Sequence, residues 1–154
     1  MLKLNVREIE SAGHLEQTVS VPAEKHRIEM PDDFQMDGPL AVEWKADAFD
    51  DEVMVTGTAG TEVVTHCARC LADYRFHLQV RFEDHVPLTE PQVDLIEEIR
   101  QALLLALPMK PLCRGECAGL CPHCGKNLNT EKCGCKSGEI DPRFDKLKNL
   151  KLDR

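Results

Sequence analysis

Apolar and polar residues alternate with a period of two through the first half of the chain, as they do in strands that bury one face. Leu2, Leu4 and Val6 alternate with polar neighbours, and Leu15, Val19 and Val21 share one parity with Gln17. Leu40, Val42, Trp44, Ala46 and Ala48 keep the period until Asp50-Asp51 marks a turn. Val53, Val55 and Gly57 resume it, with Met54, Thr56 and Thr58 on the opposite face, and Val63-Val64 leads into a first pair of cysteines. Tyr74, Phe76, Leu78, Val80 and Phe82 form the cleanest strand. Many short alternating segments joined by turns predict an antiparallel sheet, curled or sandwich-like.

The pattern then changes to that of a helix. Asp94 suits an N-cap, and Glu97 three residues later completes a capping-box-like start. Leu95, Ile96, Ile99, Ala102, Leu103, Ala106 and Leu107 line one broad face, wide enough to pack on the sheet. Pro108 ends the helix, because a residue before proline is driven out of the α region. Residues 109–154 hold only ten large or aliphatic apolar residues besides cysteine. So short and polar a segment closes no core of its own and needs staples. Asp141-Pro142 opens a short terminal helix with a narrow stripe of Phe144, Leu147 and Leu150.

The staples are cysteines. Six of the eight lie between Cys113 and Cys135, and Cys67 and Cys70 form a separate Cys-x-x-Cys pair. Thiols at such gaps converge on one soft cation, and Zn²⁺ in an all-thiolate shell is the usual occupant. In CPHCG, Pro122 sets the turn between Cys121 and Cys124, and Gly125 supplies the permissive backbone after it. One arrangement joins Cys121 and Cys124 to Cys133 and Cys135, and Cys113 and Cys117 to Cys67 and Cys70, which would pin the tail to the sheet. The rival gathers Cys113, Cys117, Cys121 and Cys124 into one site. It leaves Cys67, Cys70, Cys133 and Cys135 to share a second ion or stay free. Spacing alone admits one or two structural Zn²⁺ ions. His66 and His123 flank ligand cysteines and are read as exposed.

The reading is α+β: an antiparallel curled β-sheet or partial barrel with one packed helix and a C-terminal zinc-binding, ribbon-like extension. Residues 1–108 are the β-rich domain with its closing helix, and residues 109–154 are the cysteine-rich extension. The first residues lack the apolar core of a signal peptide, and the longest apolar run, Ala102 to Leu107, is far too short for a membrane span. The expectation is a cytoplasmic protein, where dense cysteines point to metal and not to disulfides. Strands on both sides of Cys67 and Cys70 argue against a redox dithiol, which takes its low thiol pKa from a helix N-terminus. No HExxH, GxSxG or phosphate-cradling glycine loop is present. No enzymatic activity and no small-molecule substrate are expected.

Net charge is −8, unevenly spread. Residues 1–108 carry 9 Lys and Arg against 21 Asp and Glu, whereas residues 109–154 carry 10 against 6. An acidic body repels nucleic acid, and a basic metal-stapled tail attracts phosphate. Lys110, Arg114, Lys126, Lys132, Lys136, Arg143, Lys146, Lys148 and Lys151 are the candidate RNA-contacting residues.

Four stretches carry a resemblance: CARCL at Cys67–Leu71, DLIEEIRQALLLALPMKPLC at Asp94–Cys113, CAGLCPHCGKNLN at Cys117–Asn129, and DPRFDKLKNL at Asp141–Leu150. In this order they resemble the YceD family of large-subunit ribosomal RNA accumulation proteins. The resemblance implies a role in ribosome biogenesis, with a ribosomal RNA precursor or a large-subunit ribosomal protein as partner and no known reaction. It also implies a metal site at Cys67, Cys70 and the C-terminal cysteines. Many relatives carry a longer acidic insertion between the last strand and the helix, where this chain has only Pro87 to Val93. A zinc-dependent protein-interaction adaptor, docking through Phe144, Leu147 and Leu150, is the alternative reading.

Overall fold

A computed structural model of the chain describes residues 2–22, 28–135 and 143. The chain begins with strand β1 (Lys3–Asn5) and helix α1 (Val6–Ala12). It continues through β2 (His14–Val21), β3 (Phe34–Met36), β4 (Leu40–Ala48), β5 (Glu52–His66) and β6 (Asp73–Pro87). Strand β7 (Gln92–Asp94) and helix α2 (Ile96–Ala106) follow. Strands β2 to β6 make one curled antiparallel sheet, and β1 pairs with β7 in a small second one.

Strand β5 organises the sheet. One of its edges pairs with β4 from Val53 to Gly60 and then with β3 from Val63 to Thr65. The other edge pairs with β6 along its whole length, from Glu52 opposite Pro87 to His66 opposite Asp73. Side chains of one parity turn inward along each strand: Leu40, Val42, Trp44 and Ala46 on β4, Val53, Val55, Ala59 and Val63 on β5, and Leu78, Val80, Phe82 and Val86 on β6. Val6 and Ile9 of α1 and Ile99 and Leu103 of α2 are buried in the same cluster.

The expected curled sheet and the helix after it are present, but among the described residues a second helix, α1, joins it. The alternation of Leu2, Leu4 and Val6 ends after Lys3–Asn5, where the chain turns helical at Val6. Three alternating residues fit either period, whereas Val6 and Ile9, three apart, share a helical face. Strand β5 runs unbroken from Val53 and Val55 through Val63-Val64 to the first cysteine pair. The start of α2 also differs. Asp94 belongs to β7, opposite Lys3, and its Oδ1 accepts the Ile96 N–H at 3.2 Å. The Glu97 carboxylate instead accepts the Arg100 guanidinium at 3.0 and 2.5 Å, so no capping box forms. The terminal helix expected after Pro142, with Phe144, Leu147 and Leu150, lies outside the described residues. Among the described residues no helix is long and apolar enough to cross a membrane.

Candidate metal centre

The loop Cys67–Ala72 closes the long β5–β6 hairpin and is itself a cysteine knuckle. The Cys67 N–H donates to the Ala72 carbonyl and the Leu71 N–H to the Cys67 carbonyl, both at 2.9 Å. Leu71 takes a left-handed backbone (φ 58°) to complete the turn. Two backbone hydrogen bonds and one from a side chain fasten the tail to this loop. The Ala68 N–H donates to the Pro111 carbonyl at 2.8 Å, and the Leu120 N–H donates to the Arg69 carbonyl at 3.1 Å. Gly119 makes the second contact possible: it sits at φ +75°, and a Cβ there would lie 3.1 Å from the Arg69 carbonyl oxygen. Arg69 Nη1 donates to the Cys117 carbonyl at 3.0 Å. These contacts carry Cys113 and Cys117 to Cys67 and Cys70. Cys67 and Cys117 sulfurs are 3.7 Å apart and Cys70 and Cys113 sulfurs 3.8 Å. Tyr74, Leu112 and Leu120 pack around this inner quartet.

Cys121, Cys124, Cys133 and Cys135 form an outer quartet. Its knuckle repeats the first: the Gly125 N–H donates to the Cys121 carbonyl at 2.9 Å, with Gly125 at φ +73° where the first knuckle has Leu71. The Cys121 N–H donates to the Lys126 carbonyl at 2.8 Å, and Cys121 and Cys133 sulfurs lie 3.5 Å apart. Asn129 links the two quartets. Its Nδ2 donates to the Cys117 sulfur at 3.4 Å, while its Oδ1 accepts the Ala118 N–H at 2.9 Å and Arg114 Nη2 at 2.7 Å.

Within each quartet all four sulfurs lie within 4.8 Å of one another, and all eight cysteines are free thiols. A disulfide needs sulfurs about 2.05 Å apart. A tetrahedron with Zn–S bonds of about 2.3 Å has sulfur–sulfur edges of roughly 3.8 Å, close to the separations found. Each quartet can therefore hold a metal ion, and its dimensions are compatible with zinc. The thiols inside a quartet are unequal. Cys67 falls from 9.0 to about 6, chiefly through the backbone N–H of Cys113, with those of Arg69 and Cys70 helping against burial. Cys113 is pushed up to about 12 by burial and then by the neighbouring sulfurs of Cys117, Cys67 and Cys70. In the outer quartet the N–H groups of Cys124 and His123 lower Cys121 to about 6, and the Cys124 sulfur with burial raises Cys135 to about 12. Four thiolates this close repel one another, and a dication is what relieves the repulsion.

Residues 83–151 match the family model described as large ribosomal RNA subunit accumulation protein YceD. The chain carries a YceD-family region over these residues. It is 35% identical over 125 residues to an uncharacterized protein of Mycobacterium tuberculosis, covering 70% of this chain and 60% of that one. A Mycobacterium leprae protein, also uncharacterized, is 30% identical over 129 residues, 73% of this chain and 59% of its own. The Arabidopsis thaliana chloroplastic protein named large ribosomal RNA subunit accumulation protein YCED homolog 1 is 34% identical over 67 residues, 44% of this chain and 21% of its own. The chain thus spans about three fifths of the length of the mycobacterial relatives it matches. No solved structure matches it.

The basic residues around the quartets differ in their engagements. Arg114 is held by Asn129, and Lys126 Nζ lies 3.3 Å from Glu131 Oε2. Lys110, Lys132 and Arg143 are exposed. Lys136, Lys146, Lys148 and Lys151 lie outside the described residues. His66 is exposed and its Nδ1 engages Asp73 across the hairpin, not a sulfur. His123 is exposed as well. Arg69 and Asn129 escaped the sequence reading, because neither is a ligand type and no spacing rule marks a residue that acts on a ligand from outside.

Proposed function

We propose that this chain is a non-enzymatic, cytoplasmic ribosome-biogenesis factor that promotes accumulation of the large-subunit ribosomal RNA. In this reading Zn²⁺ ions at the inner and outer quartets staple residues 109–154 to the sheet and so present a basic surface to a ribosomal RNA precursor. The observation that carries it is the convergence of all eight cysteines into two four-sulfur clusters. Four protein donors per ion leave no coordination position for a reacting group, which is the mark of structural zinc. The family description supplies the ribosomal context.

The test is capture of RNA by the zinc-loaded chain over a range of salt. Contact through phosphates predicts affinity that falls steeply and linearly in log–log form as salt rises. Gln at Lys110, Lys126 and Lys132 together with Lys146, Lys148 and Lys151 should weaken capture and flatten that slope; unchanged capture would remove the tail as the contact surface. A protein-interaction adaptor is the second reading. It is favoured by the internal engagement of Arg114 and Lys126, which leaves fewer cations for phosphate. Capture of a large-subunit ribosomal protein from RNase-treated extract, with no RNA retained, would select it.

A further inference from the structure

The two quartets differ in ways that bear on their chemistry. In the inner one Cys67, Cys70 and Cys117 are 0%, 6% and 3% exposed and Cys113 is half-buried. In the outer one Cys121 is buried and Cys133 and Cys135 are half-buried, but Cys124 is exposed, as no inner cysteine is. The inner donors come from segments 43 and 50 positions apart, clamped by the Pro111, Arg69 and Cys117 backbone contacts. The outer donors all lie between Cys121 and Cys135. Moving an inner sulfur strains the sheet–tail clamp, whereas moving an outer sulfur deforms a short loop that, among the described residues, no hydrogen bond ties to the hairpin. Among the described residues, the side-chain N–H that reaches a cysteine sulfur goes to Cys117, where it withdraws electron density from an inner donor. Cys121 and Cys133 sulfurs, 3.5 Å apart, stand ready to pair in the outer one.

We propose that the outer quartet is a peroxide-reactive site: hydroperoxides oxidise it to a disulfide and it surrenders its metal, while the inner quartet keeps its own. This rests on the zinc reading above. The exposed Cys124 thiolate attacks the terminal oxygen of the hydroperoxide. The O–O bond breaks, the departing oxygen takes a proton from water, and Cys124 becomes a sulfenic acid. A second thiolate of the quartet attacks that sulfur. An S–S bond forms and the S–O bond breaks, releasing hydroxide that solvent protonates. Two sulfurs have given up one electron each, and the hydroperoxide has been reduced to an alcohol and water, or to two waters from hydrogen peroxide. Two remaining thiolates no longer enclose the ion. The loop bearing Lys126 and Lys132 then loses its shape, while the tail stays clamped at the hairpin tip.

The full chain, purified with zinc, is titrated with hydrogen peroxide and followed by native mass spectrometry and thiol mapping. The expected result is a change from two bound ions to one. It should come with a disulfide confined to residues 121–135 and unchanged fluorescence of the single tryptophan, Trp44, in the sheet core. Dithiothreitol with added zinc should restore the second ion. Cys124→His keeps four donors and removes the exposed thiolate, so its second ion should leave more slowly under the same peroxide. Loss of both ions together, oxidation of Cys67 or Cys117 first, or retention of both ions would overturn the proposal while leaving the zinc reading intact. A chain that carries no zinc as purified would overturn both.

Discussion

Two residues at one position of a repeated turn show how local conformation sets local stability. Leu71 and Gly125 each follow the second cysteine of a knuckle in the left-handed region. A side chain there costs roughly 1–2 kcal/mol, and glycine loosens the unfolded chain by only about 0.4–1 kcal/mol. Leu71 is 65% exposed, so little packing is lost with it. Leu71→Gly should therefore raise the denaturant midpoint and Gly125→Leu should lower it. His85 offers a second residue-level prediction. Hydrogen bonds that it donates to the carboxylates of Glu52 first and Glu83 second raise its pKa above 6.5. The protonated form is the one the fold favours, so its contribution is complete below pH 6.5 and fades as pH rises through the raised value. The NMR titration midpoint of His85 should lie above 6.5 and fall in Glu52→Gln; a midpoint indifferent to that substitution would refute the pairing.

Among the elements, α2 and the β5–β6 hairpin position the site. Helix α2 buries Ile99 and Leu103 completely and delivers the chain to Pro111, where the tail first meets the hairpin tip. Ile99→Ala removes methylenes from a closed core and should cost about 2–5 kcal/mol. Leu105, on the outer face at 87% exposure, should change stability by no more than about 0.5 kcal/mol when made alanine. Chemical denaturation of both variants checks the pair. Equal losses would mean that the helix does not present the face described. The hairpin matters differently: its unbroken ladder up to His66 opposite Asp73 holds Cys67 and Cys70 at a fixed tip, so the tail is the partner that must adjust.

For the whole molecule the question is what metal contributes beyond the core. A structural zinc of this kind contributes on the order of 10–16 kcal/mol of apparent binding free energy at neutral pH, as much as the roughly 5–15 kcal/mol that holds a typical domain together. The sheet and both helices share one apolar cluster independent of the cysteines. Chelation should therefore remove amide-exchange protection from residues 109–135 and leave β4 and β5 protected. Protection that survives chelation throughout would deny the metal its stapling role. Acid should act like a chelator, because the ligand thiols must lose protons to bind. Cys113 and Cys135 hold theirs up to about 12, so ion retention should weaken steadily as pH falls. Ion content measured across pH tests this.

Much of this organisation is local, and local chemistry is written in the chain. A period of two along β4, β5 and β6 follows from strand geometry alone, and the apolar stripe ending at Pro108 from helix geometry. The cysteine gaps point to clusters able to hold metal because two or three residues between thiols suffice to aim both at one point. The short helix α1 was hidden, since three alternating residues obey two periods at once. Which cysteines meet in the inner quartet was not local. Cys113 reaches Cys70 across 43 positions only because the hairpin lifts its loop to the tail and Gly119 lets the backbone close on Arg69. The roles of Arg69 and Asn129 arise from the same crossing. Spacing along the chain limits which sulfurs can be neighbours, and only the packed fold chooses among them.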